Sequence, residues 1–317
     1  MELLYQKYVK LTLLLSMGRK HIKEAFQHFY SVHPYLSLEK AVAYFSIFGG
    51  VEERISCDFF ETTQEMVESH CVRDFSLVER WVSPSYLLEP PYRSLLVAVA
   101  RGDGKYHSVL RKAKLSEGLG RTLVEELVAL DVLYVESSRE TPLRKHPKHK
   151  LPKEQRKYKI QDKLRFKQPF LRFWFGFVVG HEKALSQGEG EAFLETFVQH
   201  SERLRSLVYE QLSDALLCDY YAKKDPIEAS GSFWNIHSEF DILAVTQSQK
   251  VILGECKYKV RSISKRELSK LKEKAKASGI NVDVYALFSK SGFSKELQSM
   301  QSDSLLLFDL NDLEALL

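Results

Sequence analysis

The chain has 317 residues, enough for two or three domains, and its 44% hydrophobic and 28% charged content is that of an ordinary globular protein. A formal net charge of +4 is too small to argue for a nucleic-acid partner by itself, so the placement of the charge must decide. The four cysteines, Cys57, Cys71, Cys218 and Cys256, form no CxxC pair, which argues against structural zinc and for reduced thiols in a cytoplasmic protein.

In chain order, Leu3, Leu4, Tyr8, Leu11 and Leu15 recur at helical spacing, and the apolar run Leu11 to Met17 is too short to span a bilayer. No membrane association is expected. Residues 1–90 read as a helical region. Ser37-Leu38-Glu39-Lys40 carries an N-cap with acid in the first turn, opening a helix that stops at Gly49-Gly50. Pro84, Pro90 and Pro91 mark a boundary.

Residues 91–180 read as a winged helix-turn-helix domain. Helices are predicted from Tyr92 to Ala100, from Tyr106 to Lys114, and from Gly118 to Leu130 with Ser116 as cap. Leu133-Tyr134-Val135 and Tyr158-Lys159-Ile160 read as the paired strands of the wing. Between them runs a basic stretch containing Arg139, Arg144, Lys145, Lys148, Lys150, Lys153, Arg156 and Lys157. With Arg121 on the third helix, Arg144, Lys145, Lys148 and Lys150 are the candidate DNA contacts. His146 and His149 in that stretch are too few ligands for zinc. The aromatic run Phe170 to Phe177 reads as a packing element, and the polar residues 186–190 as a joint.

Residues 181–317 read as a third domain with a mixed sheet, which makes the whole chain an α/β (α+β) multidomain protein. A helix is predicted over about Ala192 to Leu217, then strands at Ser232 to Thr246 and Val251 to Tyr258 joined by the turn Gln247-Ser248-Gln249. A helix over Ser264 to Ser278, a strand over Asp283 to Ser289, a helix over Ser294 to Met300, a strand over Leu305 to Asp309 and a terminal acidic helix complete the chain.

The candidate site lies on the hairpin of this last region. Asp241 precedes Glu255-Cys256-Lys257 by fourteen residues, and strand alternation sends Asp241 to one face with Glu239 and Leu243. Glu255 and Lys257, two apart, share a face, and a tight hairpin brings Asp241 close to Glu255. Two carboxylates of this kind hold Mg²⁺ or Mn²⁺, the Cys256 backbone carbonyl would be a further ligand, and Lys257 would orient an attacking water. Glu210, on the preceding helix, is a third candidate acid. Lys270, within the cluster Lys265, Arg266, Lys270, Lys272, Lys274 and Lys276, and Lys290 in Ser289-Lys290-Ser291-Gly292 are candidate phosphate contacts. Glu267 and Glu273 are expected to pair with lysines along that helix. No phosphate loop G-x-x-x-x-G-K-[ST] occurs, so ATP is not expected as a ligand.

These residues carry a resemblance. Glu239-Phe240-Asp241-Ile242-Leu243-Ala244, Gly254-Glu255-Cys256-Lys257-Tyr258 and Leu287-Phe288-Ser289-Lys290-Ser291-Gly292-Phe293 resemble the C-terminal region of prokaryotic AAA-type ATPases known as domain of unknown function 234. That region belongs to the restriction-endonuclease-like PD-(D/E)XK nuclease superfamily. The likeness extends upstream through Phe170 to Phe175, Glu89-Pro90-Pro91-Tyr92 and Ile47-Phe48-Gly49-Gly50-Val51, where it resembles the lid that follows the ATPase core. It implies that Asp241, Glu255, Lys257 and Glu210 form a metal-dependent catalytic site, and that the chain is a DNA endonuclease lacking the ATPase core. A non-catalytic DNA-binding or adaptor protein built on a nuclease-like scaffold is the alternative. Both leave room for a homodimer or a separate protein partner.

Overall fold

The computed structural model describes residues 21–140, 160–235 and 238–317. The N-terminal apolar run and the basic-stretch residues Arg144, Lys145, Lys148 and Lys150 lie outside them. The chain has a mixed α+β architecture and divides into two compact units. One, here the helical unit, takes the described parts of Gly18–Val135 with Leu164–Ala215 and Leu310–Leu317; the other, the sheet unit, takes the described parts of Glu136–Lys163 with Leu216–Asp309.

The helical unit begins with helical residues 21–32 and α1 (Leu38–Phe48). Ser37 caps α1 as its position predicts, its side chain accepting from the Lys40 N–H. Helices α2 (Tyr92–Arg101), α3 (Tyr106–Ala113) and α4 (Glu117–Ala129, capped by Ser116) follow at the predicted places. Strand β1 (Leu133–Glu136) pairs with β2 (Lys163–Phe166). In β2 buried Leu164 and Phe166 supply the apolar anchor; of the expected strand Tyr158-Lys159-Ile160, the first two residues lie outside the described residues. The aromatic run becomes a helical turn, Pro169–Phe173, continued by a wider turn over Trp174–Val178. Phe173 meets Phe48 at 6.1 Å and Phe197 at 5.9 Å between ring centroids, and Trp174 stacks on Phe75 at 5.9 Å, so the run is the hub of this core. The expected single helix after it is two, α5 (Glu191–His200) and α6 (Glu202–Tyr221), separated at Ser201.

The sheet unit holds a five-stranded sheet in the order β3-β6-β7-β8-β9. Its strands are β3 (Ile227–Ala229), β6 (Ile242–Thr246), β7 (Val251–Lys257), β8 (Val284–Ser289) and β9 (Leu305–Asp309). A short pair, β4 (Phe233–Trp234) and β5 (Glu239–Phe240), precedes β6. Strands β3, β6 and β7 are antiparallel, whereas β7, β8 and β9 are parallel. Strand β8 is apolar on both faces, as a central parallel strand must be. Helix α7 (Lys265–Ala277) crosses between β7 and β8 and buries Leu268, Leu271 and Ala275 on one face, against Phe240, Leu253 and Leu287. The other face carries Phe288 stacked on Phe308, with Tyr220 edge-on at 5.3 Å. Among the described residues no helix is long and apolar enough to cross a membrane.

One position in the β6–β7 pair admits no side chain. Gly254 faces Ile242, and a Cβ on it would stand 2.9 Å from the Ile242 Cβ. Gly254→Ala must push the two strands apart and is expected to destabilise the protein by about 1–3 kcal/mol. A urea curve with a lowered midpoint and an unchanged slope is the expected result; an unshifted midpoint would contradict this close approach.

Candidate functional site

The sequence pattern Glu239-Phe240-Asp241-Ile242-Leu243 predicts one alternating strand, but the chain bends at Asp241 and divides it into β5 and β6. The β6–β7 register ends at Ile242 opposite Gly254. Continued by two residues, it would set Phe240 opposite Cys256. Phe240 has instead turned to pair with Phe233. The Cys256 N–H would then lack a strand partner, and the Asp241 carboxylate supplies one, accepting at 2.8 Å through Oδ2. Asp241 therefore does not simply share a face with Glu239 and Leu243. Its side chain fills a rung of the ladder.

Two lysines hold the diverging strand. Lys274, from α7, donates to the Glu239 carbonyl and sits 4.6 Å from the Phe240 ring centroid. Lys163, almost wholly buried, pairs with the Glu239 carboxylate and lies 4.3 Å over the Trp234 ring. Glu239 is thus an anchor.

Glu255 and Lys257 project from β7 as an ion pair, both partly exposed. Burial first, and then the Glu255 charge, push the Asp241 carboxyl up to about 6, against the opposing pull of the Cys256 N–H, Lys257 and Lys274. Burial alone would lower the Lys257 pKa, but the Glu255 charge and hydrogen bond, with Asp241 behind them, outweigh it and raise it. The three groups act on one another and form a single electrostatic cluster. Among the described residues, no three His, Cys, Asp or Glu side chains gather as a metal-ligating group.

Glu255 and Lys257 open on a cleft of about 420 Å³, and Asp241 lies behind them, outside its lining. Glu255 and Lys257 form one wall, Lys259, Arg261 and Ile263 the loop that follows, and Glu267, Lys270, Leu271 and Lys274 the side of α7. Lys270, three residues on, draws on the Glu267 charge as expected, but the hydrogen bonds of Glu267 go elsewhere. It closes a capping box with Ser264, and its hydrogen bonds to the Ser264 side chain and N–H hold its carboxyl below the usual range. Lys270 lines the cleft as a phosphate contact would. Lys290 stands at the end of β8, its N–H donating to the Lys257 carbonyl at 3.0 Å and its ammonium 5.1 Å over the Tyr258 ring.

The remaining candidates lie in the helical unit. Glu210 is on α6, where its charge acts on the buried guanidinium of Arg172. Burial pushes the Arg172 pKa down to about 9, reinforced by Arg165 and opposed by Glu210. Arg121 is an exposed residue of α4, 3.7 Å from Glu117 one turn earlier. The sequence pattern did not single out Lys259, Arg261 or Lys163. The first two were legible as alternate cations following Glu255 and Lys257, but the burial of Lys163 has no local signal.

Residues 174–271 match DUF234, a family described as archaeal and bacterial proteins of unknown function. The matched span contains Glu210, Asp241, Glu255, Lys257 and Lys270. No curated protein and no solved structure matches the chain.

A carboxyl whose folded pKa is raised costs stability when ionised. The penalty is absent below pH 3.8, grows up to about pH 6 and is complete above it. Asp241→Asn keeps an acceptor for the Cys256 N–H and removes the charge. It is expected to raise the unfolding free energy at pH 8 by about 1–2 kcal/mol, a gain that disappears near pH 4. Urea denaturation at the two pH values checks it, and equal effects at both would contradict the raised pKa.

Proposed function

We propose that the protein is a divalent-metal-dependent DNA endonuclease that hydrolyses phosphodiester bonds. The observation that carries this reading is the juxtaposition of two carboxylates and a lysine, Asp241, Glu255 and Lys257, the last two lining a basic cleft. The mixed sheet, with the acids on its central hairpin and α7 on one face, supports a restriction-endonuclease-like fold. Helices α2 to α4 followed by the paired strands β1 and β2 support a winged helix, on which exposed Arg121 would meet backbone phosphate.

The donor set fits Mg²⁺ or Mn²⁺. Such ions take one or two carboxylates and keep several waters, and a cation between Asp241 and Glu255 would relieve the repulsion that raises the Asp241 pKa. The N–H and C=O of one residue leave an extended strand on the same side, so the Cys256 carbonyl would be the further oxygen. When bound, the metal supplies an acidified water and an electrophile for the phosphate. The chain does the rest: Asp241 is fixed in place by the Cys256 N–H, Glu255 faces the cleft, and Lys257 holds a proton donor where charge develops. The reading rests on these three residues.

One observation favours a second reading. Asp241 is satisfied by a backbone N–H and Glu255 by Lys257 without any metal. A nuclease-like scaffold serving as a DNA-binding or adaptor module would look the same.

Cleavage assays separate the two. Purified protein incubated with linear, supercoiled and single-stranded DNA is expected to cut with Mg²⁺ or Mn²⁺ and not with EDTA. Asp241→Asn and Lys257→Ala are each expected to lower the rate on the order of 100-fold or more while keeping a cooperative urea transition. Full activity in Asp241→Asn sinks the assignment, and absence of both metal binding and cleavage in the wild type selects the adaptor.

A further inference from the structure

We infer that the turn Lys259-Val260-Arg261-Ser262 is a preformed hold for the phosphodiester backbone of the substrate, beside the reacting groups and separate from them. The inference rests on the nuclease reading of Asp241, Glu255 and Lys257, and adds to it residues that bind the polymer.

The turn is fixed at both ends. Where it leaves β7, the Lys259 carbonyl accepts from the Ser291 hydroxyl at 2.7 Å. Where it ends, Ile263 is buried; its N–H donates to the Gly292 carbonyl at 3.0 Å, and its own carbonyl accepts from the Ser294 N–H at 2.9 Å. Gly292 is held in turn. Its carbonyl also accepts from the Ser289 hydroxyl at 2.7 Å, and its φ of +71° is one that a side chain would strain. The loop that follows β8 therefore pins the turn on either side. Between the two anchors Lys259, Val260, Arg261 and Ser262 are all exposed.

Charge says what the turn holds. The cleft is lined by five cations and only two carboxylates. Lys257 is engaged by Glu255 and Lys274 by the Glu239 carbonyl, while Glu267 directs its carboxylate to Ser264. Lys259 and Arg261 make no ion pair among the described residues, and Lys270 lines the same cleft from α7. Positive charge left without a protein partner suits an anionic ligand. The cleft is open to solvent, so a polymer can run through it past Glu255, with its neighbouring phosphates at the turn and at Lys270. A backbone already fixed by its anchors lowers the ordering cost of gripping them.

The test is fluorescence anisotropy of the full chain in EDTA across a salt series, with whichever of a labelled DNA single strand and its duplex binds tighter. Replacing both Lys259 and Arg261 with Ala is expected to weaken binding on the order of tenfold at low salt and to flatten the slope of log K against log salt by about 1.4–1.8. Lys272→Ala with Lys276→Ala removes the same charge from α7 outside the cleft and is expected to leave the slope as it was. Ser291→Ala removes no charge but frees one anchor, and is expected to lower the affinity a few-fold with the slope unchanged. Unlabelled polyglutamate is expected to compete far less well than unlabelled DNA. Absence of DNA binding, unchanged affinity in the Lys259/Arg261 or the Ser291 variant, an equal loss in the Lys272/Lys276 variant, or equal competition by polyglutamate overturns the inference. Adding Mg²⁺ afterwards reads the chemistry separately: DNA held through the turn but left uncut removes the nuclease reading and leaves the phosphate hold standing.

Discussion

The constraint on which the site depends is a single missing rung. Where β5 leaves β7 to pair with β4, the Cys256 N–H loses its strand partner, and the Asp241 carboxylate takes it at 2.8 Å. A buried unpaired N–H costs about 1–3 kcal/mol, so the sheet itself fixes the orientation of this side chain. An aspartate at this bend is short enough to stand in for a backbone carbonyl. Its second oxygen is then aimed by the same bond that closes the ladder, and Glu255 comes from the neighbouring residue of that strand.

Charge concentrated at a bend in a sheet works against folding, and the cluster is arranged to limit rather than remove that cost. Lys257 neutralises Glu255, Lys274 and Lys257 act on Asp241, and still the Asp241 carboxyl stays well above its ordinary value. The buried ammonium of Lys163 and the ammonium of Lys274 both secure Glu239, so two cations hold the diverging strand just before its bend. A purely structural hairpin would do better with apolar residues at these places, because an incompletely compensated carboxylate is a standing penalty. Groups perturbed in this way, beside a cleft, are candidates for function.

Much of this was legible in the sequence because it is local. The Ser37 and Ser116 caps, α7, the turn between β6 and β7, and the order of strands follow from capping residues and hydrophobic period. Asp241 with Glu255 and Lys257 stood out as charges among apolar strand residues. The bend at Asp241 did not, because an unbroken run from Glu239 to Leu243 has no breaker; the cause is long-range, in the pairing of Phe240 with Phe233. Strand β3 is only three residues long, directly after Pro226, and exists by pairing with β6. The pairing of β1 with Lys163–Phe166 has no local signal in the sequence, and burial of Leu164 and Phe166 marks it; Tyr158 and Lys159 lie outside the described residues. The charge of Glu210 acts on Arg172, thirty-eight residues away, and no spacing rule reaches that far.

The same distinction explains which lysines of α7 matter. By composition the helix is a run of interchangeable cations. Leu268, Leu271 and Ala275 at i, i+3 and i+7 are buried on the sheet, and that choice sets the direction of every other residue. Lys270 and Lys274, one turn and ~6 Å apart, fall on the flank beside Glu255. Lys265 is drawn to Glu296 and Lys272 lies over Tyr285, both away from the cleft. Glu267, which lines the cleft, directs its carboxylate to the Ser264 N–H and hydroxyl, where the helix N-terminus favours negative charge. The basic character of the cleft is therefore a consequence of how the apolar stripe of α7 seats on the sheet. A shift of that stripe by one residue would keep the composition of the helix and move its cations off the Glu255 flank.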